Sequence, residues 1–123
     1  VLTLGTTGAI YLAVEPQDGR KGIDGLAGVV AAALDRDPAS GDLFVFKNRT
    51  GDRLKVLAWA EDGFALYLRR LERGTFAFPA AAGAEVAVTP AQLAMILGGL
   101  DPAQARRRKR YARPESPPIP GTG

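Results

Sequence analysis

Four cations pose the first chemical question of this sequence. Lys47, Arg49, Arg53 and Lys55 fall within nine residues, on either side of the turn Thr50-Gly51-Asp52. They are interleaved with apolar and aromatic side chains, Leu43-Phe44-Val45-Phe46 before them and Leu54, Val56, Leu57, Ala58 and Trp59 among and after them. Cations of this kind meet phosphates, and a neighbouring ring can stack on an unpaired base. Strand alternation puts Lys55, Leu57 and Trp59 on one face and Leu54, Val56 and Ala58 on the other, the second set toward the core. In the next segment Ala65, Tyr67, Arg69 and Leu71 alternate with Phe64, Leu66, Leu68 and Arg70, and Arg73 follows. The pattern predicts a stacking platform in which Trp59 and Tyr67 share a surface with nearby cations. A plainer reading competes with it: edge-strand Lys and Arg discourage sheet-to-sheet aggregation, and Trp59 is core.

Two further groups can meet phosphate. Gly19-Arg20-Lys21-Gly22-Ile23-Asp24-Gly25 opens a helical pattern, where backbone N–H groups and the helix dipole favour anions, with Arg20 and Lys21 supplying charge. It matches neither the Walker pattern nor the dinucleotide fingerprint, and close packing against a sheet explains the glycines without a ligand. Near the C-terminus, Arg106, Arg107, Arg108, Lys109 and Arg110 form an unbroken cationic run. Such a run binds nucleic-acid phosphates without sequence preference and with strong salt dependence; it equally suits an acidic protein or simple solubility.

Catalysis finds little support. The chain has no Cys and no His, which removes disulfides, thiolate sites, cysteine nucleophiles and the usual general base. Asp18, Asp24, Asp35, Asp37, Asp42 and Asp52 are acidic candidates for a Mg²⁺ site, but they fall in turns and at caps, where Asp belongs for local hydrogen-bonding reasons. No spacing resembles an organised acidic triad. The expectation is a binding protein with no enzymatic activity, no cofactor and no metal; a minimal nuclease using the loop aspartates would have to cleave DNA with added metal.

The elements that must position these residues follow from periodicity. The 123 residues suffice for one domain with a modest core plus a tail, and 46% hydrophobic with 24% charged residues is ordinary for a globular chain. Residues 1–100 carry ten Lys/Arg against eleven Asp/Glu, whereas residues 101–123 carry six against two, so the net +3 belongs to the tail. No window is long and apolar enough for a membrane span, and the N-terminal residues do not read as a secretory signal. Ala9–Val14 reads as a first strand; Ile23, Leu26, Val30, Ala33 and Leu34 then form one helical stripe. Residues 35–42 are a loop. Three strands follow across 43–73, and Gly74 turns into a short fourth segment, Thr75–Pro79. Thr89, Pro90 and Gln92 announce a second helix with the stripe Leu93, Ile96, Leu97 and Leu100. The expected fold is α+β, in the order β-α-β-β-β-(β)-α: an antiparallel sheet of four to five strands with helices on one face. Residues 1–100 form the single domain, and 101–123 a basic, Pro-rich, disordered tail.

With these blocks laid out, the chain resembles the accessory proteins, called TnpB or Orf2-like, of the insertion sequence 66 family of bacterial mobile elements. The matching stretches are Tyr11–Pro16 with Asp18, Arg20–Ala27, Asp37–Arg49, Asp52–Lys55, Trp59, Asp62-Gly63 and Arg70–Phe76, with the basic ending at Arg106–Tyr111. Departures are Ala60, where the family usually has Asp; Phe78, where Trp often precedes Pro79; and Gly19, where a larger residue is common. The resemblance implies a non-catalytic bacterial protein that assists transposition by binding DNA, the element's separate transposase, or both. It implies a cytoplasmic location, at the nucleoid when bound to DNA, and no membrane. The RNA-guided nuclease that shares the name TnpB is a different protein. The rival reading is a protein adaptor that docks the transposase through the sheet edge or the Leu93–Leu100 helix.

Overall fold

Period-two runs become strands wherever alternate side chains find a covered face, and here both faces of the sheet are covered. The computed structural model describes residues 8–101 and 106–107. In chain order the elements are β1 (Ile10–Ala13), α1 (Ile23–Ala32), β2 (Leu43–Lys47), β3 (Arg53–Ala60), β4 (Gly63–Arg70), β5 (Glu85–Val88) and α2 (Pro90–Leu97), then the two-residue strands β6 (Leu100–Asp101) and β7 (Arg106–Arg107).

Five strands form one sheet in the order β4-β3-β2-β1-β5. β2, β3 and β4 are joined by tight turns and pair antiparallel, as the alternation predicts. β1 and β2 run parallel, with Ile10 beside Leu43 and Leu12 beside Val45. The expectation of an antiparallel sheet is thus corrected for this one pair: α1 carries the chain back across the sheet, so β2 starts from the same end as β1. The additional strand is Glu85–Val88, antiparallel to β1, not Thr75–Pro79. Residues 75–80 are irregular and instead lay Phe76 and Ala77 into the core. Pro79 has no N–H to give a ladder.

The helices divide between the two faces, which corrects the expectation that they share one. Ile10, Leu12, Leu43, Val45, Leu54, Val56 and Val88 pack with Leu93 and Ile96 of α2. Ala13, Phe44, Phe46 and Leu57 pack on the other side with Leu26 and Val30 of α1 and Leu34 just beyond it. β2 therefore buries four successive residues, Leu43 to Phe46, and forms the centre of both cores. Full burial of a side chain of this size contributes about 1.5–3 kcal/mol. α2 starts where the sequence announces it: Thr89 accepts from the Gln92 N–H, and the Gln92 side chain accepts from the Thr89 N–H, closing a capping box. α1 starts at Ile23, three residues later than Arg20, because Gly22 is extended and provides no side-chain cap.

Candidate nucleic-acid interface

The turn between β2 and β3 is held by its own side chains. Asn48 Nδ2 and Thr50 Oγ1 donate to Asp52 Oδ1 at 2.8 and 2.7 Å, and the Arg53 N–H donates to Asn48 Oδ1 at 3.0 Å. These bonds hold the Asp52 carboxyl below its ordinary pKa, with Asn48 as the larger cause and Thr50 next. Gly51 takes a φ of +77°, and a Cβ there would also crowd the Thr75 side chain at 3.3 Å.

The segment leading into α1 is docked beside this turn. The Gln17 N–H donates to the Lys47 carbonyl at 2.9 Å, extending the parallel β1–β2 pairing as an isolated bridge to Asn48. Lys55 reaches across from β3 and donates from Nζ to the carbonyl oxygens of Gly19 (2.7 Å) and Lys21 (2.6 Å). Lys21 in turn donates from Nζ to Gln17 Oε1 at 3.0 Å.

Between the two segments lies an open cleft of about 300 Å³, lined by Asp18-Gly19-Arg20, by Asn48-Arg49-Thr50 and by Arg53. Arg20 clasps Asp18 with Nη2–Oδ2 at 2.8 Å and Nε–Oδ1 at 3.1 Å, while its own N–H donates to Oδ1 at 2.8 Å. This clasp pushes the Asp18 carboxyl far below the usual range and raises the Arg20 pKa. Arg20 nevertheless keeps 90% of its side chain exposed. Three guanidinium groups against one carboxylate leave the cleft net positive. Gly19 also has a local meaning: a Cβ there would stand 3.6 Å from Arg53 Nη1 and 3.7 Å from Asn48 Cβ, so a larger residue would occupy the cleft wall.

The remaining candidates are dispersed. Lys47 projects on the α2 side, its ammonium 4.8 Å from the Phe78 ring centroid. Trp59 is half-buried and meets Phe64 edge-on, with ring centroids 4.9 Å apart. Tyr67 packs against the α2-side core. The shared surface expected for Trp59 and Tyr67 is therefore corrected: the β3–β4 register sets Trp59 opposite Phe64 and Tyr67 opposite Val56, on the other face. Arg69 and Arg70 are exposed on β4, pointing to opposite faces, and Arg70 makes a 3.4 Å contact with Glu72. Arg73 is exposed just beyond. Within the expected tail, Arg106 and Arg107 form β7, paired with Asp101 and Leu100 of β6; Arg108, Lys109 and Arg110 lie outside the described residues. The apolar stripe of α2 is occupied by its own core, with Leu93 and Ile96 fully buried.

Residue-type reasoning found Arg20, Arg49 and Arg53 but not the side chains that set them. Asp-x-Arg at 18–20 and Asn-x-Thr-x-Asp at 48–52 are the signals, spacings at which short polar side chains close hydrogen-bonded turns. Among the described residues no group of three or more Asp or Glu is placed to hold a metal ion, and no helix is long and apolar enough to cross a membrane.

The described residues thus form a small α+β sandwich with a net-positive open cleft at one sheet end. Over residues 8–107 the chain matches the family described as IS66 Orf2 like protein, and it belongs to that family, transposition-associated accessory proteins of an insertion sequence. Two relatives come from Sinorhizobium fredii (strain NBRC 101917 / NGR234). Uncharacterized protein y4hO is 39% identical over 102 residues, covering 82% of this chain and 88% of its own. Uncharacterized protein y4jC is 35% identical over 99 residues, covering 80% and 85%. No solved structure matches the chain.

Proposed function

We propose that this protein is a non-catalytic accessory factor for transposition that binds DNA through phosphate contacts in the cleft between the pre-helix segment and the β2–β3 turn. The observation that supports this reading most is the convergence of Arg20, Arg49 and Arg53 from two separate segments on one open depression. Arg49 and Arg53 act as the phosphate clamps, and Arg20, steered by Asp18, is the outer contact. Lys55 and Lys21 hold the cleft wall rather than the phosphate, since their ammonium groups are engaged within the protein. Arg106 to Arg110 add a tether without sequence preference.

The test is fluorescence anisotropy with labelled DNA across a salt series, comparing the full chain with an Arg49→Ala/Arg53→Ala variant and with a variant whose Arg106–Arg110 run is changed to Ser. The cleft reading expects the first variant to bind more weakly with a flatter salt slope. Unchanged affinity there, with binding lost only in the tail variant, would leave the folded body as an adaptor for the transposase.

A further inference from the structure

β4 is the outermost strand of the sheet among the described residues and runs for eight residues, twice the length of β5 at the opposite edge. Long edge strands invite pairing with another chain. The hydrogen-bond phase of the hairpin shows which groups are on offer. The Leu71 N–H donates to the Asp52 carbonyl at 2.8 Å, so Asp52 and Leu71 form a hydrogen-bonded pair. Alternation then makes Arg53–Arg70, Lys55–Leu68, Leu57–Leu66 and Trp59–Phe64 the non-hydrogen-bonded pairs. Phe64, Leu66, Leu68 and Arg70 thus turn their backbone N–H and C=O groups to the open edge. Their side chains all lie on the α1 side of the sheet, and Leu68, at 55% exposure, is the one exposed large hydrophobic side chain among the described residues.

We infer that β4 pairs antiparallel with β4 of a second copy of this chain about a two-fold axis at Leu66, joining two five-stranded sheets into one. The occupant and the register follow from the strand's own sequence. With Leu66 opposite Leu66, each Leu68 faces the partner strand's Phe64 position, and each Arg70 falls beside the partner strand's Asp62 position. An exposed apolar side chain is covered twice and two opposite-charge pairs form, contacts of the kind that stabilise antiparallel ladders. Slipping the register one step in one direction sets Arg70 against Phe64 and Asp62 against Glu72; one step in the other sets Leu68 against Asp62. The first still sets Leu68 against Leu66 but gives up both opposite-charge pairs and opposes like charges; the second sets a carboxylate against Leu68 and leaves Arg70 beside Ala60. Odd slips bring outward-facing groups against residues whose N–H and C=O already serve β3. The isologous arrangement closes on itself, leaving no further β4 edge for a third copy. It stands independently of the phosphate-binding reading.

The test is sedimentation equilibrium of the full chain over a roughly hundred-fold concentration range, since self-association shifts with concentration by mass action. The expected result is a weight-average mass that rises toward twice 12.9 kDa. Leu68→Lys, Arg70→Asp and Asp62→Arg each raise the dimer Kd by about tenfold or more, because each sets like charges or a bare ammonium in the new ladder. The double variant Asp62→Arg/Arg70→Asp restores Kd to within about threefold of wild type, since it exchanges the two charges across the axis. All three side chains are exposed in the single chain, so circular dichroism and melting of the variants verify that the fold is kept. A monomer at every concentration overturns the inference, as does a dimer indifferent to Leu68→Lys and Arg70→Asp. Weakening by the single changes without recovery in the double overturns the register and with it the inference.

Discussion

The ammonium of Lys55 lies 2.6 Å from the carbonyl oxygen of Lys21, so one of the four hairpin cations binds the backbone of another basic residue. With its second bond to the Gly19 carbonyl, it fastens β3 to the segment that leads into α1. Charge-assisted hydrogen bonds of this type contribute about 1.5–3 kcal/mol. Lys55→Met, which keeps the stem and removes the ammonium, is expected to lower stability by about 1–3 kcal/mol in urea unfolding.

Arg49 and Arg53 should behave differently. Arg49→Ala is expected to leave the urea midpoint within about 0.5 kcal/mol of wild type, as surface changes usually do. In DNA-binding titrations it should reduce the salt slope by about one unit, as loss of one phosphate contact does. A melting shift comparable to that of Lys55→Met would mean that Arg49 serves the fold.

The cap of α2 is the simplest stability test. Thr89→Ala removes the acceptor for the Gln92 N–H and opens the capping box. The expected loss is about 0.5–2 kcal/mol. Because Leu93 and Ile96 are both fully buried beneath the first turns, the loss should be visible in global unfolding and not only in local fraying.

Acid should weaken the fold through two carboxylates. Asp18, clasped by Arg20, and Asp52, held by Asn48 and Thr50, have folded pKa values below the ordinary 3.8. A depressed folded pKa means that the unfolded chain binds the proton first. The stabilisation is therefore complete above the ordinary value and is lost as pH falls below it, through the folded values. Melting temperature followed from pH 6 downward should be level until about pH 5 and then decline. Asp52→Asn should show a lower plateau and a shallower decline.

Much of the local structure was legible in the sequence. The capping box needs only Thr89, Pro90 and Gln92; the β2–β3–β4 meander needs only alternation broken by Gly51 and by Asp62-Gly63. The cationic cleft was half legible: Arg20, Arg49 and Arg53 stand out by type, but their meeting depends on Gln17 pairing beside Asn48, a contact between distant segments. The stacking platform failed because alternation assigns faces only within one strand. Which face of β4 matches which face of β3 is decided by register, and the two-residue Glu61-Asp62 turn sets Phe64, not Tyr67, opposite Trp59.

By itself the sequence determined the types of β1 to β4 and of both helices, the α2 cap and the family, since these rest on short-range spacing and ordered blocks of residues. Only the tertiary structure decided that β1 and β2 run parallel, that the helices cover opposite faces, and that Glu85–Val88 supplies the fifth strand. The physical reason lies in β2. Its uninterrupted run Leu43-Phe44-Val45-Phe46 is apolar on both faces, and a strand apolar on both faces must be covered twice. That requirement sends α1 to one side and α2 to the other, places β2 at the centre of the sheet, and leaves β4 at its edge.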